Sequence, residues 1–462
     1  MTLLADQLDL IQDAVAVEVS GTVCNVRGLS VRVASMPVPV GTQVTIASGR
    51  GKGRVLHGEV VGFDTDQAVV MALGSLAGVG PGDRVTAGQH AQTVRVGAAL
   101  LGRVIDGLGR PIDGLGPLRD TVSRPLHPKP VPALSRPLID QPLATGVRSI
   151  DAMVTLGRGQ RMGVFAGPGC GKSVLLGMMA RGTDADVSVI ALVGERGREV
   201  RDFIEKVLGP EGLARSVVVC ATGDEPALLR LRAAFVATSI AEYFRDQGLD
   251  ALLLVDSVTR LCQAQRQIGL AAGEPPATRG YTPSVFSMLP ELLERSGRTE
   301  AGSITGLYSV LVEGDDMTEP ITDACRGVLD GHVVLSRKLA ERGHFPAVDV
   351  LASISRIAED VTQAPHQAAR REILRLASAY RDVEDLLNIG AYAAGSNGEF
   401  DLAIAAKPML ENLLQQGRDE RSGKPGRGMH QIQAQLAAVL SGLEQAKAQL
   451  GQLGQPGRPG NR

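Results

Sequence analysis

Eight residues, Ala166-Gly167-Pro168-Gly169-Cys170-Gly171-Lys172-Ser173, constrain this 462-residue chain more than any other stretch. They follow the apolar run 162–165 and precede a helical pattern at 174–180, so a strand, a tight loop and a helix are expected in that order. Such a loop turns its backbone N–H groups inward, and the helix N-terminus adds positive dipole. A polyphosphate is then held largely by main chain. Gly167, Gly169 and Gly171 can take the positive φ angles that the loop demands, with Pro168 and Cys170 between them. Lys172 is expected to reach the outer phosphates and Ser173 to put its hydroxyl on Mg²⁺. Ala166 stands where the usual pattern has its first glycine. The alternative is an ordinary glycine-rich turn opening a helix. We take the phosphate-binding reading, a nucleoside triphosphate site.

Composition narrows the classes that remain. The net charge of −2 gives no general pull toward nucleic acid or an anionic membrane. Aromatic residues make up 3%, with no Trp, which weakens any base-stacking platform for single strands. The cysteines at 24, 170, 220, 262 and 325 form no Cys-x-x-Cys pair, so neither structural zinc nor a disulfide framework is expected. No apolar run approaches the length of a membrane span, and Asp6, Asp9 and Asp13 interrupt the N-terminal apolar positions where a signal peptide would be continuous. A cytoplasmic protein, peripheral to a membrane at most, is the expectation.

The texture of the chain changes several times. Leu4, Leu8 and Ile11 lie at helical spacing within a short amphipathic segment. From about 15 to 88, short Val-rich strands at 15–19, 29–33, 44–46 and 69–71 alternate with Gly and Pro, which argues a small β-barrel or sandwich. A Gly-rich stretch at 101–114 and a Pro-rich connector near 125–137 follow. Apolar strand candidates at 162–166, 187–193, 217–220, 251–255, 304–312 and 332–335 then alternate with helical patterns, predicting a mostly parallel sheet flanked by helices. Past about 370 the pattern is helical, and the 423–428 stretch breaks it. In the last helix Ile432, Leu436, Val439, Leu443, Ala446 and Leu450 step by four and three. Three heptads suit a coiled coil or a helix packed on its own domain, and for so short a run we take the second. The expected division is an N-terminal segment (1–14), a barrel (15–88), a P-loop domain (89–370), a helical domain (371–453) and a disordered tail (454–462).

Hydrolysis needs more than a phosphate cradle. The apolar run 252–255 ends in Asp256, the form expected of a Mg²⁺-positioning carboxylate beside such a loop. Gly194-Glu195-Arg196 follows another strand, at the end where open α/β sheets place ligands. A carboxylate there can orient water for in-line attack, and an arginine can offset developing charge. A solvated loop of mixed charge fits those residues equally well, and chemistry alone leaves both open. Arg356 closes a small polar stretch, where a surface salt bridge is the default.

Taken in order, residues 101–114, the P-loop, Gly194-Glu195-Arg196, the acid-tipped strand and Pro346-Ala347-Val348-Asp349-Val350-Leu351-Ala352-Ser353-Ile354-Ser355 resemble the α/β family of rotary ATPases. Residues 157–163, 194–200 and 273–284 look like the flagellar and type III secretion export ATPases within it. The resemblance covers roughly 15–400 and fails in the tail, where 417–428 reads as an insertion. It implies a RecA-like P-loop domain between an N-terminal β-barrel and a C-terminal helical domain. It implies ATP as substrate, Lys172 and Ser173 on phosphate and Mg²⁺, Glu195 activating water, Arg196 on the γ-phosphate and Asp256 supporting Mg²⁺. Arg356 matches an arginine finger acting on a neighbouring subunit, which implies a homohexamer, and Phe345 matches an aromatic that stacks on adenine. The loop 313–316 would face a central channel holding a coiled-coil stalk protein. Segment 1–13 would dock a stator-like regulator, and an export gate, export substrates and chaperones are further implied partners. The implied site of action is the cytoplasmic face of the export apparatus at the inner membrane.

The leading expectation is an ATPase energising flagellar protein export. An injectisome ATPase comes second and a synthase β-like catalytic subunit third, the latter disfavoured by Gly197-Arg198-Glu199-Val200 after Gly194-Glu195-Arg196. A non-catalytic nucleotide-binding subunit is opposed by Glu195, which such subunits replace. Near-neutral charge and few aromatics oppose a nucleic-acid motor, so no nucleic-acid partner is expected.

Overall fold

The structure, a computed structural model, describes residues 18–48, 54–88, 92–312, 314, 316–420 and 428–453. The amphipathic segment at 3–13, residues 421–427 and the tail from 454 lie outside the described residues. So do Glu313 and Asp315 of the expected channel loop.

Six antiparallel strands close the N-terminal barrel: β1 (Ser20–Arg27), β2 (Ser30–Ala34), β3 (Gln43–Ser48), β4 (Arg54–Asp64), β5 (Gln67–Ala72) and β6 (Arg84–Ala87), in the order β1-β2-β5-β4-β3-β6. Alternation places Val23, Val31, Val33, Val44, Ile46, Val60 and Val85 inside, each under a tenth exposed. Closure removes the unpaired edges that so short a set of strands would expose. The first strand is described from Ser20, while residues 15–17 of the Val-rich segment expected there lie outside the described residues; β4 and β6 carried too little Val-rich alternation to be read beforehand.

A two-stranded pair, β7 (Thr93–Val96) with β9 (Val122–Pro125), flanks β8 (Val104–Asp106), and β10 (Pro142–Leu143) pairs with β11 (Leu156–Gly157). The central sheet is ordered β19-β18-β12-β17-β15-β13-β14-β8, where β12 is Arg161–Ala166, β13 Val187–Val193, β14 Ser216–Ala221 and β15 Asp250–Asp256. The short strand β16 (Gly297–Arg298) pairs with β17 (Ser303–Leu311), and β18 (Gly331–Leu335) with β19 (Ile354–Ser355). These two pairings are antiparallel and the rest of this sheet is parallel. All six strands expected from apolar runs are present, and the Gly-rich stretch adds β8 at the far edge. Every residue of β13 and β14 is buried, as continuous apolar runs covered on both faces must be.

Helices cover both faces. Ala227–Asp246, Val258–Ala272 and Pro283–Leu293 pack on one side, while Lys172–Gly182 and the C-terminal helices Ala364–Asn388, Gly398–Leu414 and Gly428–Leu453 share the core on the other. In the last helix Ile432, Leu436, Val439 and Leu443 are buried in that shared core, so it packs on its own chain. Among the described residues no helix is long and apolar enough to cross a membrane.

Leu436 is 2% exposed in this core. Leu436→Ala is expected to cost about 2–5 kcal/mol, the usual range for an apolar truncation that leaves a cavity. Thermal unfolding of the full chain checks it, and an unshifted midpoint would mean the helix contributes nothing to the core.

Candidate active site

The parallel register decides what meets at the C-terminal edge of the sheet. Val164 lies level with Ser309, Val255 with Tyr308, and Leu192 with Asp256, so β12, β17, β15 and β13 end together. The loop 167–171 leaves β12 there and enters the helix Lys172–Gly182 through Gly171, its N-cap, at φ 82°. That left-handed conformation is open to glycine at little cost. A methyl at Gly171 would also stand 3.6 Å from the Phe345 ring.

Three charged side chains converge beside the loop. Lys172 Nζ donates to Asp256 Oδ1 and stands 3.8 Å from Glu195 Oε1. The side chains of Lys172, Asp256 and Glu195 are 11%, 4% and 12% exposed. Asp256 also accepts from Ser309 Oγ at 2.9 Å. Glu195 therefore does not belong to a solvated loop. Burial pushes its carboxyl up to about 7 and the Asp256 charge adds to the rise, while Lys172 and Arg260 pull the other way. A carboxyl titrating near neutrality in a cleft is suited to proton transfer or to orienting water.

The other expected residues sit apart from this cluster. Arg196 caps the helix Gly197–Asp202 and is exposed, 3.2 Å from Glu199 Oε1. Ser173 is exposed in the first turn after the loop. Arg356 is not beside its own P-loop. Ser355 pairs with Gly331 at the start of β18, whereas Ala166 is level with Leu335 at its end, so Arg356 lies toward the opposite edge of the sheet. Its guanidinium reaches the Arg326 carbonyl at 3.4 Å rather than forming the expected surface salt bridge.

Several residues escaped the sequence. Arg260 Nε lies 3.4 Å from Glu195 Oε1, and its guanidinium donates to the Gly194 carbonyl. Its place four residues past Asp256, in a helix capped by Ser257, was the available signal. Ser309 gave none, because only strand register brings it to Asp256. Next to the loop lies a cavity of about 300 Å³ lined by Cys170, Gly171, Val174, Met178, Phe345 and Gln416, among others. Phe345 is 45% exposed there, so a large aromatic face is left open to the cavity. Residues 416–418, at the start of the 417–428 stretch read as an insertion, form one wall.

A P-loop at the C-terminal edge of a parallel sheet, with a buried lysine–carboxylate cluster, defines a nucleotide-hydrolysing class of protein. Family models for the ATP synthase alpha/beta family match the nucleotide-binding domain over 146–355 and the beta-barrel domain over 16–87. The T3SS EscN ATPase C-terminal domain matches 362–425, which carries the similarity past the limit near 400 expected above. The chain is 50% identical over 402 residues to the flagellum-specific ATP synthase of Bacillus subtilis, covering 87% of this chain and 91% of that protein. It is 48% identical over 402 residues to the type 3 secretion system ATPase of Xanthomonas euvesicatoria, with the same shares covered. The assembled ATPase EscN of enteropathogenic E. coli, solved in complex with its central stalk EscO, superposes with a TM-score of 0.82 at 41% identity, over 91% of this chain and all of that one. The chain belongs to the ATP synthase alpha/beta family and is an ATP-hydrolysing enzyme.

Removing the Lys172 charge takes away a force that keeps Glu195 ionised. Lys172→Met is therefore expected to move the Glu195 titration upward from about 7, read by infrared difference spectroscopy against Glu195→Gln. An unmoved or lowered titration would contradict the coupling.

Proposed function

We propose that this chain hydrolyses Mg²⁺-bound ATP to energise protein export by a flagellar type III secretion apparatus. The observation that carries the chemistry is the buried Lys172–Asp256–Glu195 cluster at the end of the P-loop. Loop amides and Lys172 hold the β- and γ-phosphates. Glu195, with a carboxyl near neutrality, orients the attacking water and takes its proton. Arg260 holds Glu195 in place from the side, and Arg196 turns from Glu199 to meet the γ-phosphate. The oxygen donors Ser173 and Asp256 suit Mg²⁺, a hard cation that favours hydroxyl and carboxylate ligands, and Asp256 is paired with Lys172. When bound there, Mg²⁺ would neutralise phosphate charge. Phe345 stacks on the base in the adjoining cavity.

Arg356 acts on the nucleotide of a second copy, because the sheet holds it away from its own loop. The working form is therefore a homohexamer, with a coiled-coil stalk in its channel as in the EscN–EscO complex. Residues 313–316 face that stalk, residues 1–13 dock a stator-like regulator, and the export gate, export substrates and their chaperones are met at the cytoplasmic face of the inner membrane. An injectisome role is the second reading, favoured by the 48% identity to the Xanthomonas secretion ATPase. Deleting the gene and scoring filament assembly against needle secretion separates the two. Intact flagella in the deletion strain would overturn the flagellar assignment.

Glu195→Gln is expected to keep nucleotide affinity while turnover falls by about 10²-fold or more, the size of effect expected for loss of a general base. Steady-state hydrolysis together with a fluorescent-nucleotide titration measures both, and near-normal turnover removes Glu195 from the role.

An arginine acting in trans makes specific activity rise with protein concentration as subunits assemble. Arg356→Ala is expected to abolish that rise without preventing nucleotide binding. Activity per chain that stays flat on dilution, with only monomer in light scattering, would exclude action between copies.

A further inference from the structure

His366 is 3% exposed, at the start of the helix Ala364–Asn388, and one of its ring nitrogens has no bonding partner among the described residues. Nε2 lies 2.9 Å from the Ala152 carbonyl and 3.4 Å from Thr155 Oγ1. A carbonyl only accepts, so Nε2 carries the hydrogen and donates it. Burial pushes the ring's pKa down against the pull of that bond, and the Arg370 charge acts in the same direction as burial. The imidazole is therefore neutral, and Nδ1 presents a bare lone pair. A buried acceptor without a donor is costly to keep, and native interiors hold few of them.

A cavity of about 280 Å³ adjoins that ring, lined by His366, Asp140, Asp360, Pro142, Val361 and Met429, among others. It lies where three distant stretches meet: the one entering β10, the one entering the helix Ala364–Asn388, and the first turn of Gly428–Leu453. None of its lining residues lines the cavity beside the P-loop, so the nucleotide site does not account for it. Its two carboxylates differ. Asp140 accepts from Arg298, whereas the exposed Asp360 has no ion pair or side-chain hydrogen bond among the described residues.

Carboxylates and a neutral Nδ1 only accept, so an occupant has to bring donors and positive charge. Among the described residues no group of three or more His, Cys, Asp or Glu could hold a metal ion. The donors must therefore be spread over several atoms. A guanidinium does this, because its five N–H groups in one plane reach acceptors in different directions, whereas an ammonium is a point charge. An alkyl stem would lie along Pro142, Val361 and Met429. The volume is at the lower end for ligand sites and suits one such chain.

We propose that this cavity binds a guanidinium on an alkyl stem, which donates to His366 Nδ1 and to the Asp360 carboxylate. The group arrives on a small free molecule or on an arginine of a second copy of the chain. In either case one charge joins the starts of two C-terminal helices to the stretch ahead of β10.

The probe is N-acetyl-arginine amide, titrated by calorimetry into the full chain, with N-acetyl-citrulline amide as its uncharged counterpart. The arginine probe is expected to bind with a Kd of about 1 mM or below, and the citrulline probe at least about tenfold more weakly. Asp360→Asn, a change at an exposed side chain, is expected to weaken the arginine probe about tenfold, the size of effect of one charge-assisted hydrogen bond. The direct reading is the ¹⁵N resonance of His366 Nδ1, assigned by its loss in His366→Gln. It starts in the range of an unbonded imidazole acceptor and moves upfield in step with calorimetric saturation, which a merely structural histidine would not do. Where His366→Gln does not fold, Asp360→Asn and the citrulline probe still decide. Dilution separates the two sources. The site of a free ligand gives the same Kd in monomer and assembled chain, whereas for an arginine of a second copy the probe binds the monomer and dissociates the assembly in light scattering. No saturable binding by about 10 mM, equal binding of the citrulline probe, undiminished affinity in Asp360→Asn, or a fixed His366 resonance would each overturn the site.

Discussion

Parallel pairing between β12, β17, β15 and β13 is the constraint on which the rest of the molecule depends. Neighbouring strands stand about 4.8 Å apart, so β12 and β15, separated by one strand, end about 10 Å from each other. That gap is short enough for a lysine entering from one strand end to meet a carboxylate at the other, and Lys172 does meet Asp256. A one-residue slip would turn Asp256 to the other face and leave it without Lys172 and Ser309. Both faces of the sheet are covered by helices, which makes such slips costly because the apolar side chains of the central strands pack in cores on both sides.

The charges placed by that register are unequal in their consequences. Asp256 has a lysine and a serine hydroxyl, while Glu195 has more distant cations and a neighbouring negative charge. Two carboxylates in one desolvated site cannot both be ionised as readily as in water, and the less supported one gives way. Nucleotide phosphates entering the cradle would draw Lys172 toward themselves and change this balance. The same sheet holds Arg356 toward its other edge, away from its own P-loop.

Nucleotide binding in this chain also reaches beyond the sheet. The C-terminal helices share one hydrophobic core with the P-loop helix rather than forming a detached unit. Residues 416–418 wall the cavity next to the loop, and the Gln416 amide ties them to Arg148 and Gly146.

Local pattern by itself determined the P-loop, the run of parallel strands, the acid at the tip of β15 and the helical C-terminal region, because each depends on neighbours in sequence: glycine torsions, apolar runs, helical spacing. Whether Glu195 or Arg196, adjacent and both charged, lies in the site could not be told that way. The fold buries one beside Lys172 and leaves the other in solvent. Arg260 and Ser309 entered the site only through a helix start and a strand register, and Gln416 reached it across more than 260 residues of chain. The separation of Arg356 from its own loop was equally invisible, since it follows from an antiparallel edge strand two residues long. Desolvation and register are properties of packed neighbours, not of sequence neighbours, so the protonation of Glu195 and the walls of the cavity beside the P-loop were decided by tertiary structure alone.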